Sequence, residues 1–234
     1  MKKEICIDEL RVMMLDALTL RGIGSEDARF IVEDFLDAEL EGHKTHGVSK
    51  FLTLDIGLSG RESGIEIVRQ TGGHAKIDGH RELGHIAARQ AAAFSVELAK
   101  EYGVGLVALT NVSRYARLVP YSRLIAERGC IGIVTNNGGP AHVVPFGGSA
   151  PMFGTNPLSF GFPQGEKPPL LFDFATAQGV WGELRQAIVE ERSLPERTFL
   201  DAAGAFTTDP QRVQGVLPFG GARGAALCMA LEIL

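Results

Sequence analysis

Two short runs decide the fold class: Val104-Gly105-Leu106-Val107-Ala108-Leu109-Thr110-Asn111 and Cys130-Ile131-Gly132-Ile133-Val134-Thr135-Asn136. Each is a nearly unbroken apolar stretch of strand length, the pattern of a strand covered on both faces. Between them, Pro120 suits the first turn of a helix, where its missing N–H costs nothing, and Gly129 stops that helix after Arg128. Both runs end in Thr-Asn. They read as one β/α unit used twice, with no third copy and so no solenoid, and such units favour a parallel pair of strands. The class is therefore α/β.

Toward the N-terminus the periodicity changes. An alanine-rich helix is predicted from Ile86 to Tyr102, stopped by Gly103, and short strands with turns are predicted at Gly64–Val68 and Ala75–Gly79. Earlier still, Leu10, Met13, Met14, Ala17 and Leu18 recur on one helical face, as do Ala28, Ile31, Val32, Phe35 and Leu36. Gly22 and Gly42 are the expected stops, and Ser25 the expected cap of the second helix. Gly42-His43-Lys44-Thr45-His46-Gly47 then encloses two histidines between two glycines.

Toward the C-terminus, a stretch rich in glycine and proline runs from Gly138 to Gly161, a length of loop that is uncommon unless functional. Leu158–Phe162 and Leu170–Phe174 read as an antiparallel hairpin, which makes the sheet mixed. A helix near Trp181–Glu191 and a turn at Asp209-Pro210 follow, and Pro218-Phe219-Gly220-Gly221-Ala222-Arg223-Gly224 opens a last helix. Ala225 to Leu234 is apolar almost all round, so that helix is expected to be buried. A charged terminus at the end of a buried helix is costly, so the natural protein is expected to continue past Leu234.

Composition narrows the class of partner. With 45% hydrophobic and 22% charged residues the chain is globular, and a net charge of −5 speaks against nucleic acid or an anionic membrane. No apolar run is long enough to span a bilayer, and Met1-Lys2-Lys3-Glu4-Ile5-Cys6 does not open a signal peptide. Cys6, Cys130 and Cys228 form no CxxC pair and no disulfide framework, in keeping with a cytoplasmic protein.

The usual nucleotide fingerprints are missing: no GxGxxG follows a strand and no GxxxxGK[ST] occurs, nor does a GxSxG elbow. His43 and His46 have the spacing for one metal, as in a metal-dependent hydrolase, but no HExxH or cysteine partner supports it, so no metal is assigned. His46 also reads as an acid–base group in a turn where backbone comes close to a ligand, with Thr45 able to orient a ring nitrogen; a solvated loop histidine is the bland alternative. Gly154-Thr155-Asn156-Pro157 and Asp173-Phe174-Ala175-Thr176 are polar clusters beside strands, equally suited to turn chemistry. Residues 218–224 resemble a backbone nest before a helix, an anion site to which Arg223 adds charge.

Taken as a set, these stretches resemble the malate/L-lactate dehydrogenase type 2 family, which includes ureidoglycolate and sulfolactate dehydrogenases, diketogulonate reductase and Δ1-piperideine-2-carboxylate reductase. Gly42–Val48, Gly129–Asn136, Pro145–Gly148, Gly154–Pro157, Asp173–Thr176 and Leu217–Gly224 occur in family order across nearly the whole chain. Ala116–Pro120 and the ending near Leu217 look most like the piperideine-carboxylate reductase branch.

The resemblance implies an N-terminal helical domain, residues 1–75, carrying the catalytic histidine. Residues 76–234 would form a non-Rossmann, mixed-sheet domain binding NAD or NADP. His46 would be the proton donor and Thr45 its relay; Lys50 and Thr155 would hold a small carboxylate substrate. Ser113, Arg114, Tyr115, Ala116, Arg117, Asp173, Phe174, Ala175 and Arg223 would line the cofactor. A homodimer is implied as well.

The chain departs from the family pattern at Lys50 for arginine, Arg114 for histidine, Thr45 for serine and Ala222-Arg223 for His-Lys. Family members run longer. These departures leave a truncated, non-catalytic paralogue as the alternative, and no spacing separates NADH from NADPH.

Overall fold

The computed structural model describes residues 4–54, 62, 64–137 and 139–234. Contacts divide the chain into two compact units, Met1–Arg128 and Gly129–Leu234. The functional division expected after residue 75 falls inside the first unit, within the strand His74–Asp78.

The first unit opens with α1 (Ile7–Thr19) and α2 (Ser25–Leu40). Met14 and Leu18 of α1 pack with Ile31, Val32, Phe35 and Leu36 of α2 in one buried cluster. Burying a side chain such as Phe35 is worth roughly 1.5–3 kcal/mol. Both helices end as their glycines require. The Gly22 N–H bonds to the Thr19 carbonyl and that of Ile23 to the Leu18 carbonyl, with Gly22 at φ +78°. Gly42, at φ +83°, repeats the pattern, with the His43 N–H reaching back to Ala38 at 2.8 Å. This is the left-handed stop that favours glycine. Ser25 lies inside α2, with Gly24 at the cap position and no side-chain cap, which corrects the expectation for Ser25. A short helix, α3 (Val48–Phe51), follows the His46 turn.

Strands β1 (Glu66–Thr71) and β2 (His74–Asp78) form a hairpin, and α4 (Gly84–Tyr102) carries the chain to β3 (Leu106–Thr110). β2 pairs with β1 antiparallel and with β3 parallel, so this sheet is mixed. Gly105 lets α4 sit directly on the sheet, since a Cβ there would overlap the Ser95 carbonyl. α5 (Val119–Glu127), with Pro120 in its first turn, closes the unit.

The second unit begins with β4 (Gly132–Thr135), β5 (Leu158–Gln164) and β6 (Lys167–Phe174), a wholly antiparallel sheet in the order β4-β5-β6. The β5–β6 hairpin is as expected. The parallel β3–β4 pair is not formed: β3 takes β2 as its parallel partner, and β4 pairs antiparallel with β5. The two Thr-Asn runs are alike locally, but α4 supplies the crossover needed for a parallel pair between β2 and β3 instead.

Helix α6 (Trp181–Val189) precedes a small sheet of β7 (Phe199–Asp201), β8 (Phe206–Thr207) and β9 (Val213–Val216), in the order β8-β7-β9. Asp209 caps a 3-10 turn at Pro210–Arg212. Val143, Phe153, Leu184, Phe199, Val216 and Cys228 form the core. Val143 bridges to both Phe153 and Val216, so the glycine- and proline-rich stretch is tied to the small sheet; its first residue, Gly138, lies outside the described residues. Trp181 stacks face to face on His142, with ring centroids 3.9 Å apart.

The last helix, α7 (Ala222–Ile233), is buried on one side only. Cys228 and Leu231 are inside, while Ile233 is 79% and Leu234 89% exposed, which corrects the fully buried helix expected from composition. Alanine and glycine make it apolar without filling a core. Among the described residues no helix is long and apolar enough to cross a membrane.

Candidate active site

In the first unit the chemistry gathers on the turn between α2 and α3. Once Gly42 has ended α2, the His46 N–H bonds to the His43 carbonyl at 2.8 Å, which closes the turn. The Glu39 carboxylate then reaches forward from the last turn of α2 to accept the Val48 N–H at 3.0 Å. Gly47 permits this approach, because a Cβ there would overlap that carboxylate. His46 therefore hangs between two fixed points.

The Thr45 hydroxyl lies 3.0 Å from His46 Nδ1, as the sequence suggested, and fixes the ring with Nε2 left for other partners. Lys50 is one turn into α3, and its backbone N–H is bonded to the Gly47 carbonyl. Burial, then the positive charges of Arg117, Lys50 and His43, push the proton affinity of His46 down, to a pKa of about 4. At neutral pH the ring is neutral and can accept a proton.

The segment 113–117 lies in the same unit. Ser113 Oγ accepts the Gly84 N–H at 3.0 Å and so caps the start of α4. Tyr115 packs edge-on against Tyr121 and burial pushes its hydroxyl up to about 12, so it stays protonated. Ala116 packs on the helical core, and Arg114 is exposed. Arg117 does not project freely: its guanidinium is bonded to Asp34 and Glu41.

In the second unit three separate stretches converge. The Thr155 carbonyl accepts both the N–H and the hydroxyl of Thr176, each at 2.9 Å. The Thr176 carbonyl accepts the Phe219 N–H at 3.0 Å, and Ala177 bridges to Pro218. Thr155, the Asp173–Ala175 end of β6 and the 218–224 loop are thereby brought together, with the Phe174 and Phe219 rings edge to face at 6.0 Å. Gly220 (φ +58°) and Gly221 (φ +63°) are both left-handed immediately before α7. The loop thus leads into the positive end of a helix, whose first N–H groups have no partner within the helix, and exposed Arg223 lies in that first turn. These residues fit a phosphate-bearing cofactor.

Sequence reasoning missed three residues. Glu39 gave no signal beyond being an acidic residue one turn before a glycine. Asp34 sits on the apolar face of α2 as its one buried carboxylate. Asn156 read as turn chemistry, but its Nδ2 reaches the Cys228 carbonyl at 2.9 Å and Glu232 Oε2 at 2.7 Å, pinning α7 to the Thr155 loop. Among the described residues there is no group of three or more His, Cys, Asp and Glu placed to hold a metal ion.

A family model described as malate/L-lactate dehydrogenase matches residues 5–234. L-sulfolactate dehydrogenase of Methanocaldococcus jannaschii is 35% identical over 95% of this chain and 66% of its own length. Delta(1)-pyrroline-2-carboxylate reductase 1 of Burkholderia ambifaria is 30% identical over 98% of this chain and 69% of its own. The crystal structure of delta1-piperideine-2-carboxylate reductase from Pseudomonas syringae pvar. tomato superimposes with a TM-score of 0.85 at 26% identity, covering all of this chain and 72% of that one. The chain thus spans about two-thirds of the length of the curated relatives it matches.

Proposed function

The chain belongs to the malate/L-lactate dehydrogenase family of oxidoreductases, and from that premise we propose that it transfers a hydride to or from C2 of a small 2-oxo or 2-hydroxy acid, or of a cyclic imine carboxylate, using NAD or NADP. The observation that carries this reading is the Thr45–His46 pair at 3.0 Å, on a turn anchored by Glu39. Residues 1–75 contribute the proton-transfer group and residues 76–234 the cofactor groups, with the substrate carboxylate held by Lys50 and Thr155.

In the oxidative direction, neutral His46 takes the proton from the substrate hydroxyl as the C–H bond gives up its hydride. In the reductive direction, His46 must arrive protonated. An anionic substrate beside Lys50 offsets the positive surroundings that hold its proton affinity down, so substrate and proton bind together. The ring then protonates the C2 oxygen, or the imine nitrogen, and is recharged from water. A nicotinamide bound there would supply or accept the hydride. Gly220, Gly221 and Arg223 would hold its phosphates, and Asp173–Ala175, Ser113, Arg114, Tyr115 and Ala116 would lie along it.

A non-catalytic remnant is not favoured, since the proton-transfer pair is intact. Lys50 keeps the positive charge expected at its position but presents a point charge, without the two-pronged grip of a guanidinium. The same reading makes the protein a cytoplasmic homodimer.

Fluorescence titration of the purified chain with NADH and NADPH tests cofactor binding, and saturation by either is the expected result. His46→Ala is expected to lower turnover by about 10²–10⁴-fold with the fold retained, the usual contribution of a positioned acid or base. A loss under about tenfold removes His46 from the mechanism.

A further inference from the structure

Behind the His46 turn lies a buried polar cluster that the reaction does not use directly. The side chain of Arg117 is 9% exposed and that of Asp34 only 1%. Arg117 Nε donates to Asp34 Oδ1 at 2.8 Å, Nη2 to the Asp34 carbonyl at 3.0 Å, and Nη1 to Glu41 Oε2 at 2.5 Å. One guanidinium therefore spans the last two turns of α2, up to the residue before Gly42. Arg123 braces the same end through Asp37 at 2.9 Å.

On the other side, Ala116 packs on the core cluster that Val48 and Phe51 of α3 also touch. The segment carrying Arg117 thus bonds to the end of α2 before the His46 turn and packs on the same core as α3 after it.

The pair is expensive. Among the described residues Asp34 Oδ2 has no hydrogen-bond partner; it lies 3.8 Å from His85 Nε2, and both nitrogens of His85 and the Tyr121 hydroxyl are likewise unpartnered there. Burial pushes Asp34 up to about 6 despite Arg117. Apolar side chains of similar volume would fold α2 at least as well, so a buried pair with an orphaned oxygen is poorly explained by stability alone.

We propose that Asp34 and Arg117 are positioning residues for His46: the buried carboxylate fixes the guanidinium, and the guanidinium fixes both the helix end from which the turn hangs and the positive field at the ring. This rests on the reading of His46 as the proton-transfer group. The charged groups facing the ring are Arg117 from the 113–118 segment, Lys50 from α3 and His43 from the turn itself. The acidic groups at the end of α2 are already committed, Glu39 to the Val48 N–H and Glu41 to Arg117.

The test is the titration of the His46 ring, followed by NMR in the isotope-labelled full chain. Arg117→Gln is expected to raise the proton affinity of His46 by roughly threefold or more, since it removes a like charge. Glu41→Gln, which leaves Arg117 less compensated, is expected to lower it, whereas Arg117→Lys is expected to leave it near the wild-type value. A merely structural role would not move the ring in opposite directions. Unchanged or same-direction midpoints in Arg117→Gln and Glu41→Gln would overturn the proposal. If Arg117→Gln does not fold, the half-exposed Glu41→Gln decides alone, and an unmoved midpoint there overturns it. His46→Ala turnover is independent of this: full activity in that variant would remove the catalytic reading while the ring titration still settles the coupling.

Discussion

The His46 turn and the 218–224 loop solve the same problem, fixing a short irregular segment, by opposite means. The first is held by side chains: Glu39 on the Val48 N–H, Thr45 on the ring, Arg117 on the end of α2. The second is held by backbone: the Gln178 N–H on the Leu217 carbonyl, the Phe219 N–H on the Thr176 carbonyl, and Gly224, where a Cβ would not fit. Side-chain anchors can be tuned electrostatically, which suits a group whose proton affinity must change during turnover. Backbone anchors present a fixed array of donors, which suits an anion that must always be met in the same way. The buried unpartnered atoms follow the same division: Asp34, His85 and Tyr121 contribute theirs in the first unit, and Asn156 Oδ1 alone in the second, among the described residues.

The largest expected effect strikes the backbone-held loop. A Cβ on Gly224 would overlap the Phe219 carbonyl, which is backbone and cannot swing away. Gly224→Ala is expected to destabilise the second unit by about 3 kcal/mol, at the upper end of overpacking costs. Urea unfolding reads this, and an unchanged midpoint would mean that the loop is adaptable after all.

Acid should distinguish the units next. His46 and His85 both fall to about 4 from an ordinary 6.5, so the stability they contribute is complete above about 6.5 and is lost as the pH drops through 4. Asp34, raised to about 6, has the opposite sign: its contribution is complete below its ordinary value and is lost as the pH rises through 6. Two histidines against one carboxylate leave about one net proton taken up on unfolding. Stability is then expected to fall toward acid by about 1.4 kcal/mol per pH unit between 6 and 4. All three groups lie in the first unit. In the second, Asp201 is held below its ordinary value by the Ala205 and Ala203 N–H groups and by Arg212, so its contribution is lost only at lower pH. Hydrogen exchange at pH 5 is therefore expected to speed in α2 and α4 before β7; equal acceleration in both units would break the comparison.

The smallest effect sharpens it. Glu39→Gln keeps an acceptor for the Val48 N–H but removes the charge, and is expected to cost about 1 kcal/mol, typical of a hydrogen bond weakened from charged to neutral. Turnover is expected to fall more than stability suggests, because the turn carries His46. Loss of stability with turnover intact would assign Glu39 to folding only.

What was legible in the sequence follows the same line. Gly22, Gly42 and Gly103 announce their helix ends because a left-handed stop is a local property, and the β5–β6 hairpin is legible because its strands are adjacent. The partner of β3 was not, since choosing β2 over β4 depends on which crossover helix lies between them. Nor was the Asp34–Arg117 pair, whose members come from distant stretches and whose chemistry looks like ordinary surface charge. Of the site, the pairing of Thr45 with His46 was readable because the residues are neighbours. Arg117, expected by resemblance along the cofactor, also bonds to Asp34 and Glu41 at the end of α2, and nothing in its own sequence surroundings signals that.

Trp181 is the only tryptophan of the chain, and it lies flat on His142. A protein with a single indole has a single emitter once excitation is moved beyond the absorption of its three tyrosines. Energy passed from it to a reduced nicotinamide starts from one known point in the second unit, so the depth of quenching measures a distance rather than an average over many donors. The stacked imidazole adds a second channel, because a protonated ring accepts an electron from the excited indole more readily than a neutral one. Emission followed against pH in the absence of nucleotide would calibrate that channel before any cofactor is added.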